Sequence, residues 1–139
     1  MLAGVLGFVV ISVLLARFLL TENVERGKEA RLLQAQARGD VQAMLAELDG
    51  CRARPACLAT VRANADRLRR PGVVKILWLK SSTAYALTGA SGKTRLAWTV
   101  IGRLPVVQCV EVRRTGNPIS GITVTLRSLS APIPNEADC

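Results

Sequence analysis

Arg95-Leu96-Ala97-Trp98-Thr99-Val100 alternates residue by residue: Leu96, Trp98 and Val100 fall on one side, Arg95, Ala97 and Thr99 on the other. A period of two with one apolar and one wetter side is the pattern of a strand in an antiparallel sheet with one buried face. Downstream, Pro105 opens another strand in which Val106, Gln108, Val110 and Val112 share a face while Cys109, Glu111 and Arg113 take the opposite one. Thr115-Gly116-Asn117-Pro118 then begins a hairpin loop ending near Gly121. The last strand points Ile122, Val124 and Leu126 inward. A change of phase at Arg127-Ser128 brings Leu129 and Ala131 into line, which implies a bulge. Upstream, residues 73–80 and 83–88 read as two more strands, and Gly89-Ala90-Ser91-Gly92 as a loop. Trp78, Tyr85 and Trp98, aromatic residues in strands, are expected in the core.

Before the sheet the period changes to that of helices. Gly39 ends one helix, and Asp40 is placed to cap a second, with Val41, Met44, Leu45 and Leu48 at i, i+3, i+4 and i+7. An Asp49-Gly50-Cys51 turn leads to a third helix bearing Leu58, Val61, Ala65 and Leu68 on one side, stopped by Pro71-Gly72. Three helical pieces followed by four or five antiparallel strands predict an α+β fold with the helices on one sheet face.

The chain begins with an apolar run. Residues 1–20 hold no acid and one base, Arg17. At about 1.5 Å per residue they just span a hydrocarbon core of roughly 30 Å, so residues 1–20 are expected to form a transmembrane helix. Met1, Leu2, Val5, Phe8, Val9 and Val10, then Ile11, Leu14, Leu15, Phe18 and Leu19, would face lipid, and Arg17 would snorkel to the headgroups. The run has neither a basic n-region nor a small-residue cleavage site, so it reads as retained and not as a secretory signal. Residues 21–38, rich in Glu, Arg, Gln, Ala and Leu, would continue it as a helical stalk. That leaves residues 39–139 as a single α+β domain, since about 90 to 115 residues suffice for one core and hardly for two.

Charge and cysteines pull the topology in opposite directions. The net charge of +9 lies almost wholly beyond the apolar run, but the near flank balances Arg26, Lys28 and Arg31 against Glu22, Glu25 and Glu29. Long domains translocate regardless of charge, so the flank decides nothing. Four cysteines in a small domain behind an apolar segment suit an oxidising compartment, which places the domain outside the cytoplasm. Of the three connectivities, Cys51 with Cys57 and Cys109 with Cys139 is favoured: the first pair brackets a short Pro-containing loop and the second ties the tail to a strand. The chain-entropy model gives such links roughly 2 and 4 kcal/mol. No metal site is expected, for the cysteine spacings are not paired CxxC and the chain has no histidine.

Leu32-Leu33-Gln34-Ala35-Gln36-Ala37-Arg38-Gly39-Asp40-Val41-Gln42-Ala43-Met44-Leu45 resembles the opening of nuclear transport factor 2-like (cystatin-like) domains, in which a helix ends at Gly-Asp and a short second helix follows. The resemblance implies a curved sheet wrapped on helices, with a pocket or a sheet surface used for binding. Catalytic members of that family place acids or histidines in the pocket. This chain has no histidine and few acids in its strands, so no enzymatic activity and no cofactor are expected. No nucleophile elbow, HExxH or telling carboxylate pair is read from the sequence. Gly89-Ala90-Ser91-Gly92-Lys93-Thr94 ends like a phosphate loop but leads into a strand, and Arg38-Gly39-Asp40 is accounted for by the helix break.

Arg52, Arg54, Arg62, Arg67, Arg69 and Arg70 lie within nineteen residues. They make either a solvated helix face or an anion-binding patch for lipid headgroups or an acidic polymer. Nucleic acid is disfavoured as a partner because the aromatic residues are assigned to strands. Two functions follow. The first is a membrane-anchored, extracytoplasmic, non-enzymatic module that binds lipid and an envelope protein or its own copies. The second is a filament subunit: an apolar helix opening the chain without a basic leader, then a sheet, then a terminal disulfide loop, resembles type IV pilins after leader removal. Val5 stands where those pilins carry glutamate, which ranks the filament, with its extracellular location, second.

Overall fold

A computed structural model describes the backbone of residues 2–82, 89–117, 121–135, 137 and 139, and the side chains of all of these except 2, 3, 17–22 and 117. Helix α1 (Leu2–Arg38) is followed by α2 (Val41–Glu47), a 3₁₀ turn (Cys51–Ala53) and α3 (Pro55–Arg67). Strands β1 (Val74–Ser81), β2 (Ala90–Val100), β3 (Val106–Asn117) and β4 (Gly121–Leu129) form one antiparallel sheet in the order β1-β2-β3-β4. The expected α+β class holds, with four described strands. The strand expected over residues 83–88, with Tyr85, lies outside the described residues.

Local chemistry sets the helix boundaries. Gly39 takes a φ of 74° that closes α1, and the Asp40 carboxylate accepts the Ala43 N–H at 3.0 Å, capping α2. Pro55 opens α3 at a position where its missing N–H is no loss. The inward faces are those the helical periods predict: Met44, Leu45, Leu48, Val61, Ala65 and Leu68 are buried against Leu96, Trp98, Val110, Val112, Val124 and Leu126.

Four departures from the sequence reading have physical causes. First, the helix continues through the expected stalk, residues 21–38, but its later part packs into the domain. Leu32, Leu33, Ala35 and Ala37 are in the core, and Glu25, Glu29 and Gln36 are buried beside them. Second, Ala90, Ser91 and Gly92 are not a loop but the start of β2, paired with Arg114, Arg113 and Val112. Third, Trp78 is 40 % exposed, because a bulge on β1 leaves Leu77 without a partner between the pairs Ile76–Trp98 and Trp78–Ala97. Fourth, the bulge inferred at Arg127 is present, with Glu111 opposite Ser128 and Val112 opposite Leu126, but only Leu129 is buried; Ala131 is exposed.

The sheet's two edges are treated differently. Along β4, Lys28 Nζ donates to the Val124 carbonyl at 2.6 Å, the Asp49 N–H to that of Leu126 at 2.8 Å, and Arg54 to that of Arg127. That edge is closed to further strands. On β1 the Gln34 side chain accepts the Val74 N–H at 3.0 Å, at the strand's first residue. The C-terminal segment pairs with β3 through the Ile133–Val107 bridge and then reaches the outer sheet face, where Lys93 Nζ donates to the Cys139 carbonyl at 2.7 Å.

Among the described residues no helix is long and apolar enough to cross a membrane. The span expected over residues 1–20 is thus without structural support, and the side chains of Arg17, Phe18 and Leu19 lie outside the description. Within that stretch Val5, Phe8, Val9, Val10, Ile11, Leu14 and Leu15 are 43–74 % exposed on all sides of α1.

Candidate functional site

Both expected disulfides are formed, Cys51 to Cys57 and Cys109 to Cys139, with Cα separations of 5.4 and 5.7 Å. The first staples the 3₁₀ turn to the start of α3. The second fixes the C-terminal segment to β3 on the outer face. Between them lies an open cleft of about 530 Å³ lined by Arg54, Thr60, Lys93, Glu111 and Ile133 among others. Ser128 Oγ donates to Glu111 Oε2 at 2.9 Å there, so that carboxylate is already engaged.

The six arginines do not act together. Arg54 donates to the carbonyls of Gly50, Asp49 and Arg127, which closes the turn below α3 onto β4. Arg70 donates to the Leu104 carbonyl at 2.6 Å and lies 5.4 Å from the Trp98 ring centre. Burial, and then the repulsion of Arg103, lower the Arg70 pKa from its usual value. These two arginines are structural. Arg52, Arg62, Arg67 and Arg69 are exposed, and among the described residues none of them forms an ion pair. Replacing Arg70 by glutamine is expected to lower stability by about 1–2 kcal/mol, from the lost charged hydrogen bond and ring contact, while the same change at Arg62 stays within ~0.5 kcal/mol; thermal melts check this.

A polar seam under α1 was not read from the sequence. Near the C-terminal end of α1, Gln36 Nε2 and Trp98 Nε1 both donate to Gln108 Oε1, at 2.9 and 2.7 Å. Gln108 Nε2 and Asn64 Nδ2 in turn donate to the Ser130 carbonyl, at 2.8 and 2.9 Å. Three turns back along α1, Arg114 Nε donates to Glu25 Oε2 at 3.0 Å and Thr94 Oγ1 to Glu25 Oε1 at 2.9 Å, all three residues being buried. Glu29 lies one turn on, fully buried, and among the described residues neither of its oxygens has a hydrogen-bond partner. Its pKa is pushed up to about 8, by burial first and by the Glu25 charge second, with Arg114 and Arg26 opposing. The signal for these acids was their spacing of four, which places both on the side of α1 that carries Leu32, Leu33 and Gln36.

At this end α1 and the sheet diverge, leaving a cleft of about 550 Å³ lined by Asn23, Glu25, Arg26, Leu77, Trp78, Leu79, Ser81 and Arg114. Glu25 reaches it already bound to Arg114, and Glu29 does not line it. Among the described residues the cleft offers an apolar wall and basic groups, and the one carboxylate lining it is engaged by Arg114. Among the described residues no group of three or more Cys, Asp or Glu is placed to hold a metal ion.

Comparison with family models, with curated proteins and with solved structures finds no match to this chain.

Proposed function

We propose that this chain is a non-enzymatic binding or assembly module on the outer side of a membrane, held there by the N-terminal part of α1. The supporting observation is the division of one 37-residue helix into two environments. Its first part presents Val5, Phe8, Ile11 and Leu15 to solvent in every direction, and its last part is the core of the domain. Apolar surface of that extent calls for lipid or protein cover. The two disulfides agree with an oxidising compartment. The break at Gly39 with the Asp40 cap, followed by an antiparallel meander, is compatible with kinship to nuclear transport factor 2-like domains. Binding is the use proposed for it.

A second reading, a pilin-like filament subunit, draws on the absence of any interruption between the two parts of α1 and on the Cys109–Cys139 closure of the tail. In that case the apolar part packs against copies of itself. Fractionation separates the outcomes. The full chain is expected in membranes after alkaline extraction, with its domain open to protease from the outer side; recovery as a soluble protein would end the anchored reading. Filaments from the native source with this chain as main component would establish the second in its place.

A further inference from the structure

We propose that the cleft at the base of the domain, between α1 and β1, binds the headgroup of an anionic phospholipid, an inference that rests on the membrane-anchored reading. Its place is set by covalent distance. Asn23 follows the apolar run by three residues, about 4.5 Å along the helix, so the mouth of the cleft stands at the level of the headgroups. Its lining divides as a lipid does. Leu77, Trp78 and Leu79 supply its apolar lining along the β1 edge, with the Trp78 ring centre 4.9 Å from the Arg95 guanidinium, and Asn23 and Arg26 line it from α1.

The wall owes its existence to the β1 bulge. With Leu77 unpaired, two successive large apolar residues are exposed by 52 and 40 % on an edge strand, where exposed apolar side chains invite aggregation. Contact with the interfacial layer removes that hazard, and tryptophan favours that layer. Charge points the same way. Glu25 is neutralised by Arg114, which leaves the Arg26 guanidinium as surplus positive charge among the described lining residues. A phosphodiester carrying a single negative charge suits that balance, and a zwitterionic headgroup gains less from it.

The test uses the full chain in phosphatidylcholine vesicles with and without phosphatidylglycerol, with bromine on the acyl chains of one lipid at a time. The Trp78 contribution to fluorescence quenching is obtained by comparison with Trp78→Phe. Brominated phosphatidylglycerol is expected to quench Trp78 about fivefold more effectively than brominated phosphatidylcholine at equal mole fraction. Arg26→Gln should erase that preference while the chain still floats with the vesicles. Excess inorganic phosphate should leave it in place, and its loss to free phosphate would overturn the lipid assignment. Co-flotation with equal quenching by both lipids, or with none, overturns the inference alone. Failure to co-float overturns the anchoring reading and the inference with it.

Discussion

Replacing Glu29 by glutamine is expected to raise the stability of the domain by about 4 kcal/mol at pH 9 and to change it little at pH 4. In the folded chain the Glu29 carboxyl titrates near 8, above its ordinary 4.5. A raised carboxyl pKa means that the folded state holds a proton that the unfolded state has released. Its contribution is therefore fully present below pH 4.5 and is lost as pH rises to about 8. Each unit of that interval is worth about 1.4 kcal/mol, and burial dominates the shift. Glutamine keeps the shape and removes the charge. Denaturant titrations across this pH range check the result: the wild-type curve should fall with pH relative to that of Glu29→Gln. Parallel curves would mean that Glu29 is solvated or paired in solution.

The second large effect belongs to Arg114. Changing it to methionine removes the cation from Glu25, to which it donates at 3.0 Å in a buried setting, and leaves two carboxyls one turn apart without their buried counter-charge. The expected loss is about 3–5 kcal/mol at neutral pH. Adding Glu25→Gln to Arg114→Met is expected to recover more than half of the loss, because an apolar side chain beside a neutral one replaces a broken ion pair. No recovery in the double variant would contradict the coupling.

What the sequence disclosed depended on how local the cause was. Alternation in residues 95–100 and 106–112 reports the sheet because each side chain's face is fixed by its neighbours in the strand. The Asp40 cap and the short Cys51–Cys57 loop are likewise local, and both were legible. In the sequence Glu25 and Glu29 count only as flank charges balancing Arg26, Lys28 and Arg31, because what buries them is distant: Arg114 lies eighty-nine residues from Glu25. Trp78 was assigned to the core as a strand aromatic, yet a single unpaired residue turned it outward. Ala90, Ser91 and Gly92 have poor strand propensity and are held extended by Arg113 and Arg114 across the ladder. Arg54 and Arg70 looked like surface charge because the carbonyls they bind belong to other elements. The cleft combines two such effects, the bulge and the buried ion pair, so sequence periodicity carried no trace of it.

The continuity of α1 also gives the molecule a mechanical character. A pull on its apolar part is delivered along one rod straight into the core, with no intervening joint to absorb it. Load passes to the sheet in shear, through Glu25 to Arg114, Lys28 to the Val124 carbonyl and Gln36 to Gln108. Neither disulfide lies on that route, since one joins the 3₁₀ turn to α3 and the other joins β3 to the C-terminal segment. Under tension the rod would slide out of a body whose own cross-links stay intact, and the force at which it yields would be set by the polar seam together with the apolar packing of Leu32, Leu33, Ala35 and Ala37.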